Sequence, residues 1–419
     1  MTVFSFLAVV ASMGWCLPAF GSNPVSLGSV VDGDPLGLSV TFKEDSSENW
    51  TIDDAIRSHA AGEFSLSQSD TVSLGYTDSA YWFHLAIVND TGFHQSRFVQ
   101  VGYPLLDHVV MISNCGGVSK RHEVGDNYRF DKRPISHRTY LFPIDMQSSQ
   151  VCDLFLRVRT SSAMQIPIAL WDPIALFEDD QGKVAAIMGL GGVLGIMAVY
   201  NLLILFSVRR KVYFYYVGFV LSILCVILAL NGTSFQFFWP GSPWLADHSV
   251  GFLIPCSGFF VIRFTAEYLS LGIGELGQSR TYLFINRLGN ILLIMAFATF
   301  FFSYADVIKP VLIVNFLTAM TCVVVGVLNW RAGSREAMLY TVSWIAFLVG
   351  VLAIILAKLG IVATTAFTEN GVALGAGLQV ALLSFALADQ LKTMETAKTK
   401  ALHLQKALVT AGVPKVPDK

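Results

Sequence analysis

The stretch Val184–Ser207 carries no charged residue and no polar face over its whole length. As a helix it is long enough to cross a hydrocarbon layer of roughly 30 Å. Six further apolar stretches follow before Leu391, and the sequence therefore predicts a bundle of seven membrane-spanning helices. The predicted spans are Val184–Ser207, Val212–Asn231, Val250–Leu269, Leu288–Tyr304, Pro310–Trp330, Ala337–Leu359 and Gly371–Leu391. The bundle as a whole covers residues 184–391.

The composition agrees with a chain that lies largely in lipid. Only 14% of the 419 residues are charged, and the mean hydropathy is +0.58. Soluble chains are about 25% charged. Membrane lipid is therefore the first partner that the sequence implies. The net charge of −2 and the absence of basic runs with interleaved aromatics argue against nucleic acid as a partner.

The N-terminus predicts export. Residues 1–22 have an apolar core, and small residues flank a cleavage site at Ala19 and Gly21, as in a secretory signal peptide. The usual positive start is absent. A polar region follows, and we assign residues 30–178 to one exported domain.

The exported domain reads as all-β. Runs with strand periodicity begin at Leu38, Tyr81, Arg97, His108, Thr139, Cys152 and Met164, with turn residues between them. Alternation of apolar and polar residues, as in the DLFLRVR run, marks half-buried strands, and many short strands favour a β-sandwich. One helix is predicted at Thr51–His59, with Thr51 as its N-cap and acidic residues in its first turn.

Basic residues in the loops orient the bundle. Arg209, Arg210 and Lys211, then Arg280 and Arg287, then Arg331 and Arg335, fall on the side of the Lys-rich tail, whereas the other side carries little more than Lys309. The bias toward positive charge in the cytoplasm places the N-terminal domain in the periplasm and the tail, residues 392–419, in the cytoplasm.

Two cysteines lie in the exported domain, Cys115 and Cys152. In an oxidising compartment they either form a disulfide or remain two buried thiols.

The tail continues the last span with a weak heptad stripe, from Leu387 through Met394 and Ala401 to Leu408, broken at Gln390. This stripe predicts either a coiled coil, which would make a homodimer, or an ordinary solvated helix.

No motif for catalysis, metal binding or a cofactor is present, so we expect neither an enzyme nor a metal site nor a cofactor. Arg263 and Glu267 are four residues apart in the third span and predict an intramembrane pair. In the exported domain Trp82, Arg133 and Arg138 are candidates for binding a sugar or another polar ligand. Packing of Trp82 in the core and structural salt bridges of the arginines are the alternatives.

Several stretches resemble a known family: GYTDSAYWFHLAIVND, GYPLLDHVVMI, GDNYRFDKRPISHRTYLFPI and LFLRVRTSSAMQIPIALWDPIALFE in the exported domain, with GVLGIMAVYNLLILFSVRRKVYFYYVGFV and VALGAGLQVALLSFALADQL in the bundle. Over Leu38–Leu391 the chain resembles bacterial seven-transmembrane receptors with diverse intracellular signalling modules, carrying the second type of extracellular domain.

The resemblance implies a jelly-roll sensor, similar to carbohydrate-binding modules, outside a seven-helix transducer in the bacterial inner membrane. Such receptors usually continue into a kinase, cyclase or phosphatase, and this chain stops shortly after its last span. We therefore expect a receptor for a periplasmic small molecule or glycan that signals through a cytoplasmic kinase or cyclase in trans, or a chain that has lost its output module. The alternative is a transporter or channel with an exported accessory domain.

Overall fold

The computed structural model describes residues 24–271, 280–358, 362 and 370–410, which form two compact units. The first unit, with residues 24–124 and 141–173, is built mainly of β-strands. The second unit, with Gly125–Tyr140 and the chain from Ile174 onward, is helical. The predicted order of an all-β region and a seven-helix region is confirmed. The predicted signal peptide, residues 1–22, and residues 411–419 of the tail lie outside the described residues.

The β-rich unit is a sandwich of two main sheets. The large sheet has the order β3-β2-β5-β10-β7-β8, with β1 parallel to β5, and the small sheet has the order β12-β6-β9, while β11 pairs with β4. The strands of the described chain are β1 (Val25–Ser26), β2 (Thr41–Asp45), β3 (Ser65–Leu66), β4 (Val72–Gly75), β5 (Ala80–Val88), β6 (Gln95–Val101), β7 (His108–Cys115), β8 (Val118–Val124), β9 (Tyr140–Met146), β10 (Val151–Arg159), β11 (Met164–Ile166) and β12 (Ile168–Trp171).

The interior of the sandwich is filled by side chains of both sheets. Phe83 and Leu85 of β5 line the same small cavity as Val99 of β6 and Ile168 of β12. The cavity measures about 10 Å³, which is about the space of one water molecule. At this place the two sheets pack closely against each other.

The strand prediction found every long strand of this unit except β8. That strand has the sequence VSKRHEV, is mostly exposed and lies at the edge of the large sheet. Polar residues on both of its faces remove the alternation by which a strand is recognised. The predicted helix is confirmed as α1 (Ile52–Ala60), with Thr51 and Asp54 forming a capping box at its start.

Eight further helices are described: α2 (Pro173–Val208), α3 (Lys211–Leu230), α4 (Thr233–Phe237), α5 (Pro243–Tyr268), α6 (Arg280–Ala298), α7 (Tyr304–Arg331), α8 (Arg335–Lys358) and α9 (Gly371–Thr410). Seven of them are long and apolar enough to cross a membrane, and α4 is a short connector. The predicted continuity of the last span with the tail is confirmed, because α9 is a single helix of 40 residues.

Several predicted span boundaries differ from those of the helices. The fourth span ends at Ala298, and the fifth begins at Tyr304 instead of Pro310. Ser303 starts this helix, and its hydroxyl donates to Asp306 over 2.6 Å. Pro310 therefore lies within α7, as membrane helices tolerate. The first span also begins earlier than predicted, since α2 starts at Pro173, and its 36 residues reach about 54 Å.

A disulfide joins Cys115 of β7 to Cys152 of β10. The two residues lie directly opposite each other in the antiparallel pair, at the end of the strands. The cross-link therefore fixes the register of two central strands of the large sheet. The remaining cysteines of the described chain, Cys225, Cys256 and Cys322, are free and lie in helices.

Replacing both Cys115 and Cys152 with alanine should lower the free energy of unfolding of the β-rich unit by about 2–4 kcal/mol, because the unfolded chain regains the freedom of the closed loop. Thermal unfolding of the purified protein in detergent measures the loss. Reductant should destabilise the wild type and leave the double variant unchanged, and Cys225→Ala serves as the matched control. A wild type that is insensitive to reductant would contradict this role.

Candidate functional site

Helix α1 covers part of the outer face of the large sheet, the face that points away from the sandwich interior. Trp82 and Phe155 of the sheet pack with Ala55 of α1 in a buried cluster. Only 2% of Trp82 is exposed. The candidate ligand residue Trp82 thus lies in a core under α1. Its indole Nε1 has no hydrogen-bond partner among the described residues.

The same cluster holds two histidines that sequence patterns did not bring together. The rings of His59 of α1 and His84 of β5 lie against each other, with centroids 3.8 Å apart and planes tilted by 39°. His84 Nε2 lies 3.2 Å from Asp153 Oδ1 of β10, and the ring of Phe155 is 4.7 Å away. Burial of the ring and the neighbouring His84 lower the pKa of His59 to about 4. The alternation of Trp82 and His84 in β5 was visible in the sequence, whereas the contact with α1 depends on the fold.

The second cluster is formed by the segment Gly125–Tyr140, which joins β8 to β9 and belongs to the helical unit. Its centre is Arg133, of which 7% is exposed. The guanidinium lies 4.6 Å from the ring centroid of Phe130, 4.4 Å from that of Tyr140 and 5.6 Å from that of Phe235. Burial lowers the pKa of Arg133, but a guanidinium keeps its charge in proteins, so these π faces stabilise a permanent cation.

Hydrogen bonds close the segment around this cation. Arg133 Nη1 donates to the carbonyl oxygens of His137, over 2.8 Å, and of Arg138, over 2.9 Å. Arg138 in turn donates to Asp180 Oδ1 of α2 over 2.6 Å, and His137 Nε2 lies 3.2 Å from the same oxygen. Both candidate ligand residues of this segment are therefore engaged within the protein. Their role in ligand binding stays a prediction.

Phe130 fixes the same segment to two more helices. Its ring meets Phe235 of α4 edge-on at 5.5 Å, and Ala246 of α5 completes the buried cluster. The backbone N–H of Phe130 donates to the carbonyl of Pro240 over 3.0 Å. With Asp180, the segment thus contacts α2, α4, the turn before α5, and α5 itself. We call Gly125–Tyr140 the anchor segment.

Polar contacts inside the bundle converge on α9. Asn201 Nδ2 of α2 donates to the Ser384 hydroxyl over 3.0 Å, and the Tyr216 hydroxyl of α3 donates to the Val380 carbonyl over 2.8 Å. Gln390, the polar break in the tail stripe, donates to Glu336 Oε2 of α8 over 3.2 Å. Three helices therefore hold α9 by directional bonds.

The predicted pair of Arg263 and Glu267 was wrong. Arg263 donates instead to the side chains of Asn286 and Asn290 on α6, the second over 2.6 Å, and no salt bridge to Glu267 is found in the described chain. The two asparagines lie one turn apart and present both amide oxygens to the guanidinium. The contact joins α5 to α6. No group of three or more His, Cys, Asp or Glu that would hold a metal ion occurs among the described residues.

Comparison with known families assigns both units. A family described as 7TMR-DISM extracellular 2 matches residues 37–172, and one described as 7TM diverse intracellular signalling matches residues 186–390. The chain belongs to the 7TMR-DISM family. It is thus a multi-pass membrane protein of a family of signalling receptors, and its β-rich unit is of the extracellular type. None of the curated proteins matches the sequence.

In this 7TMR-DISM chain, Arg133→Ala should lower the free energy of unfolding by about 2–4 kcal/mol, because the variant leaves a cavity among three rings and two unpaired carbonyls. Arg129→Ala is the matched control, since the Arg129 side chain is 63% exposed and pairs with Asp131 at the surface. Its effect should stay within about 0.5 kcal/mol. Thermal unfolding in detergent compares the two. Equal stability of both variants would show that the Arg133 cluster contributes little.

Proposed function

We propose that the chain detects a small polar ligand, such as an oligosaccharide, in the periplasm and relays its binding through the seven helices to α9. In this proposal a cytoplasmic signalling protein, such as a kinase or a cyclase, receives the output in trans, and the chain performs no catalytic step of its own. The family gives the receptor role, and the oligosaccharide is the ligand class that resemblance to carbohydrate-binding modules favours.

One observation carries the relay. The anchor segment is continuous with β8 and β9 of the sensor unit, yet it is part of the compact helical unit. A displacement of those strands is therefore applied directly to residues that contact α2, α4 and α5. The chain also passes from β12 into α2 through the single residue Asp172. Two short covalent routes support mechanical coupling better than a flexible linker would.

The output end of the relay is α9. At 1.5 Å per residue its 40 residues reach about 60 Å, roughly twice the thickness of a hydrocarbon core. The contacts with Asn201, Tyr216 and Glu336 fix its position in one packing of the bundle. A second packing would break or replace a few hydrogen bonds, which is the kind of two-state element that signalling requires. A coiled-coil partner for its C-terminal part, and with it a homodimer, is part of the proposal.

The basic loops support the orientation. Arg209 and Arg210 lie between α2 and α3, and Arg331 and Arg335 lie at the turn between α7 and α8, on the same side as the tail lysines. By the excess of positive charge in cytoplasmic loops, α9 ends in the cytoplasm and the β-rich unit is exported across the inner membrane.

The proposal is tested with the full-length chain in lipid nanodiscs. A panel of cello-, chito-, malto- and galacturonate oligosaccharides is screened by calorimetry, and hydrogen exchange of α9 is measured with and without the binding oligosaccharide. We expect binding to change the exchange of α9. Phe130→Ala should bind with an unchanged Kd but lose the response of α9, because the contact with Phe235 is removed. Phe93→Ala, at a residue that is 75% exposed, is the matched control and should keep both.

Three outcomes would contradict the proposal. No binding across the panel rejects oligosaccharides as the ligand class. Binding without any change in α9 rejects the relay. Flux of an oligosaccharide into proteoliposomes, abolished by changes at Glu267 or Asp389, would establish the alternative of a transporter with an exported accessory domain.

A further inference from the structure

The contact pair of His59 and His84 has no part in the relay described above. It lies under α1, on the outer face of the large sheet, and 3% of His84 is exposed. His59 Nε2 and His84 Nδ1 are both buried and lack hydrogen-bond partners in the described structure. A buried polar atom without a partner is costly, and two of them on imidazoles in contact form a site that a proton changes strongly.

The charged groups on the surrounding elements are mostly paired with one another. Lys43 lies 3.7 Å from Glu63, and Arg159 lies 2.9 Å from Glu48. The groups concerned are Lys43 and Asp45 of β2, His108 of β7, Asp153, Arg157 and Arg159 of β10, Asp53, Asp54 and Arg57 of α1, and Glu63 after α1. Among them Asp153 is the one carboxylate that bonds the pair in the described structure. A single carboxylate can balance one imidazolium but not two.

Neutral His59 fits this site better than its imidazolium, because Asp153 bonds His84 alone. With Nε2–H of His84 donated to Asp153, the remaining lone pairs face apolar rings, chiefly those of Phe155 and Phe64. A proton added to His59 would place a cation against the ring of His84 at 3.8 Å and beside the rings of Phe64 and Phe155. If α1 leaves the sheet, His59 enters water and binds the proton freely. Proton binding and docking of α1 therefore oppose each other.

We propose that the His59–His84 pair is a proton-binding site through which acidification of the compartment outside the membrane releases α1 from the large sheet. The release uncovers Trp82 and Phe155 and thereby changes the face that the sensor presents. The proton is a second input to the receptor, independent of any oligosaccharide.

The pH range follows from the two states of His59. In the released state the pKa is the ordinary 6.5, and in the docked state it is about 4. A histidine whose pKa is lowered by docking makes docking less favourable as pH falls below 6.5, and the effect levels off below about 4. From pH 7.5 to 5.0 the ratio of released to docked α1 should rise about thirty-fold, as one proton linked between these pKa values requires.

Hydrogen exchange of the full-length chain in nanodiscs tests the proposal without any added ligand. After correction for the intrinsic exchange rate, peptides covering Ile52–Ala60 should lose protection about thirty-fold between pH 7.5 and 5.0, while peptides from the core strand β10 keep theirs. His59→Gln and His59→Phe both remove the titrating group, and the second keeps an aromatic ring against His84. Protection of α1 in either variant should not depend on pH. His94→Gln, at an exposed loop residue, should behave as the wild type.

A wild-type α1 whose protection is the same at both pH values would overturn the proposal, as would a thirty-fold change that persists in both His59 variants. Simultaneous loss of protection in β10 would show general acid unfolding instead of release of α1. Because no oligosaccharide enters this experiment, its failure is distinguishable from failure of the proposed ligand class.

Discussion

Hydrocarbon offers no hydrogen-bond partner, and this constraint governs the helical unit. A polar side chain between the helices is costly unless it finds a partner inside the bundle. Asn201 reaches Ser384, Thr265 reaches the Tyr340 hydroxyl over 2.7 Å, and Arg263 reaches two asparagines. Because lipid is as apolar as the helix surfaces, such directional bonds select one packing among many of similar energy. They also make a second packing accessible, since only a few bonds need to exchange.

The sequence was informative wherever one physical pattern dominates. Long stretches without charged residues predicted the membrane helices, and alternation of apolar and polar residues predicted the buried strands. Thr51 with Asp54 predicted the start of α1. The prediction from sequence failed where two patterns compete. Strand β8 is polar on both faces and lies at a sheet edge, and α7 begins six residues before Pro310, where the Ser303 hydroxyl donates to Asp306. Neither feature is visible without knowing which neighbour each residue has.

The candidate site shows the same limit. Arg133 and Arg138 were predicted as candidate ligand residues, and their contacts with Phe235 and Asp180 depend on segments that are distant in the chain. The predicted pair within α5 failed for a related reason. Spacing brings Arg263 and Glu267 near each other on one helix, yet α6 supplies two amide oxygens that bind the guanidinium in a geometry that one carboxylate on the same helix does not offer. The spacing of residues in the chain shows which contacts are possible, and tertiary packing determines which of them form.

The clusters around Arg133 and around His59 and His84 differ because the two kinds of side chain differ in how readily they release a proton. A guanidinium cannot release its proton, so Arg133 has to be stabilised permanently by π faces and carbonyls, and the anchor segment closes around it as a fixed joint. Burial lowers the pKa of an imidazole, so His59 can lie against the ring of His84 without a counter-ion of its own. The contact between the two rings therefore depends on pH. Arginine therefore suits the rigid anchor segment, whereas histidine suits a surface that responds to pH.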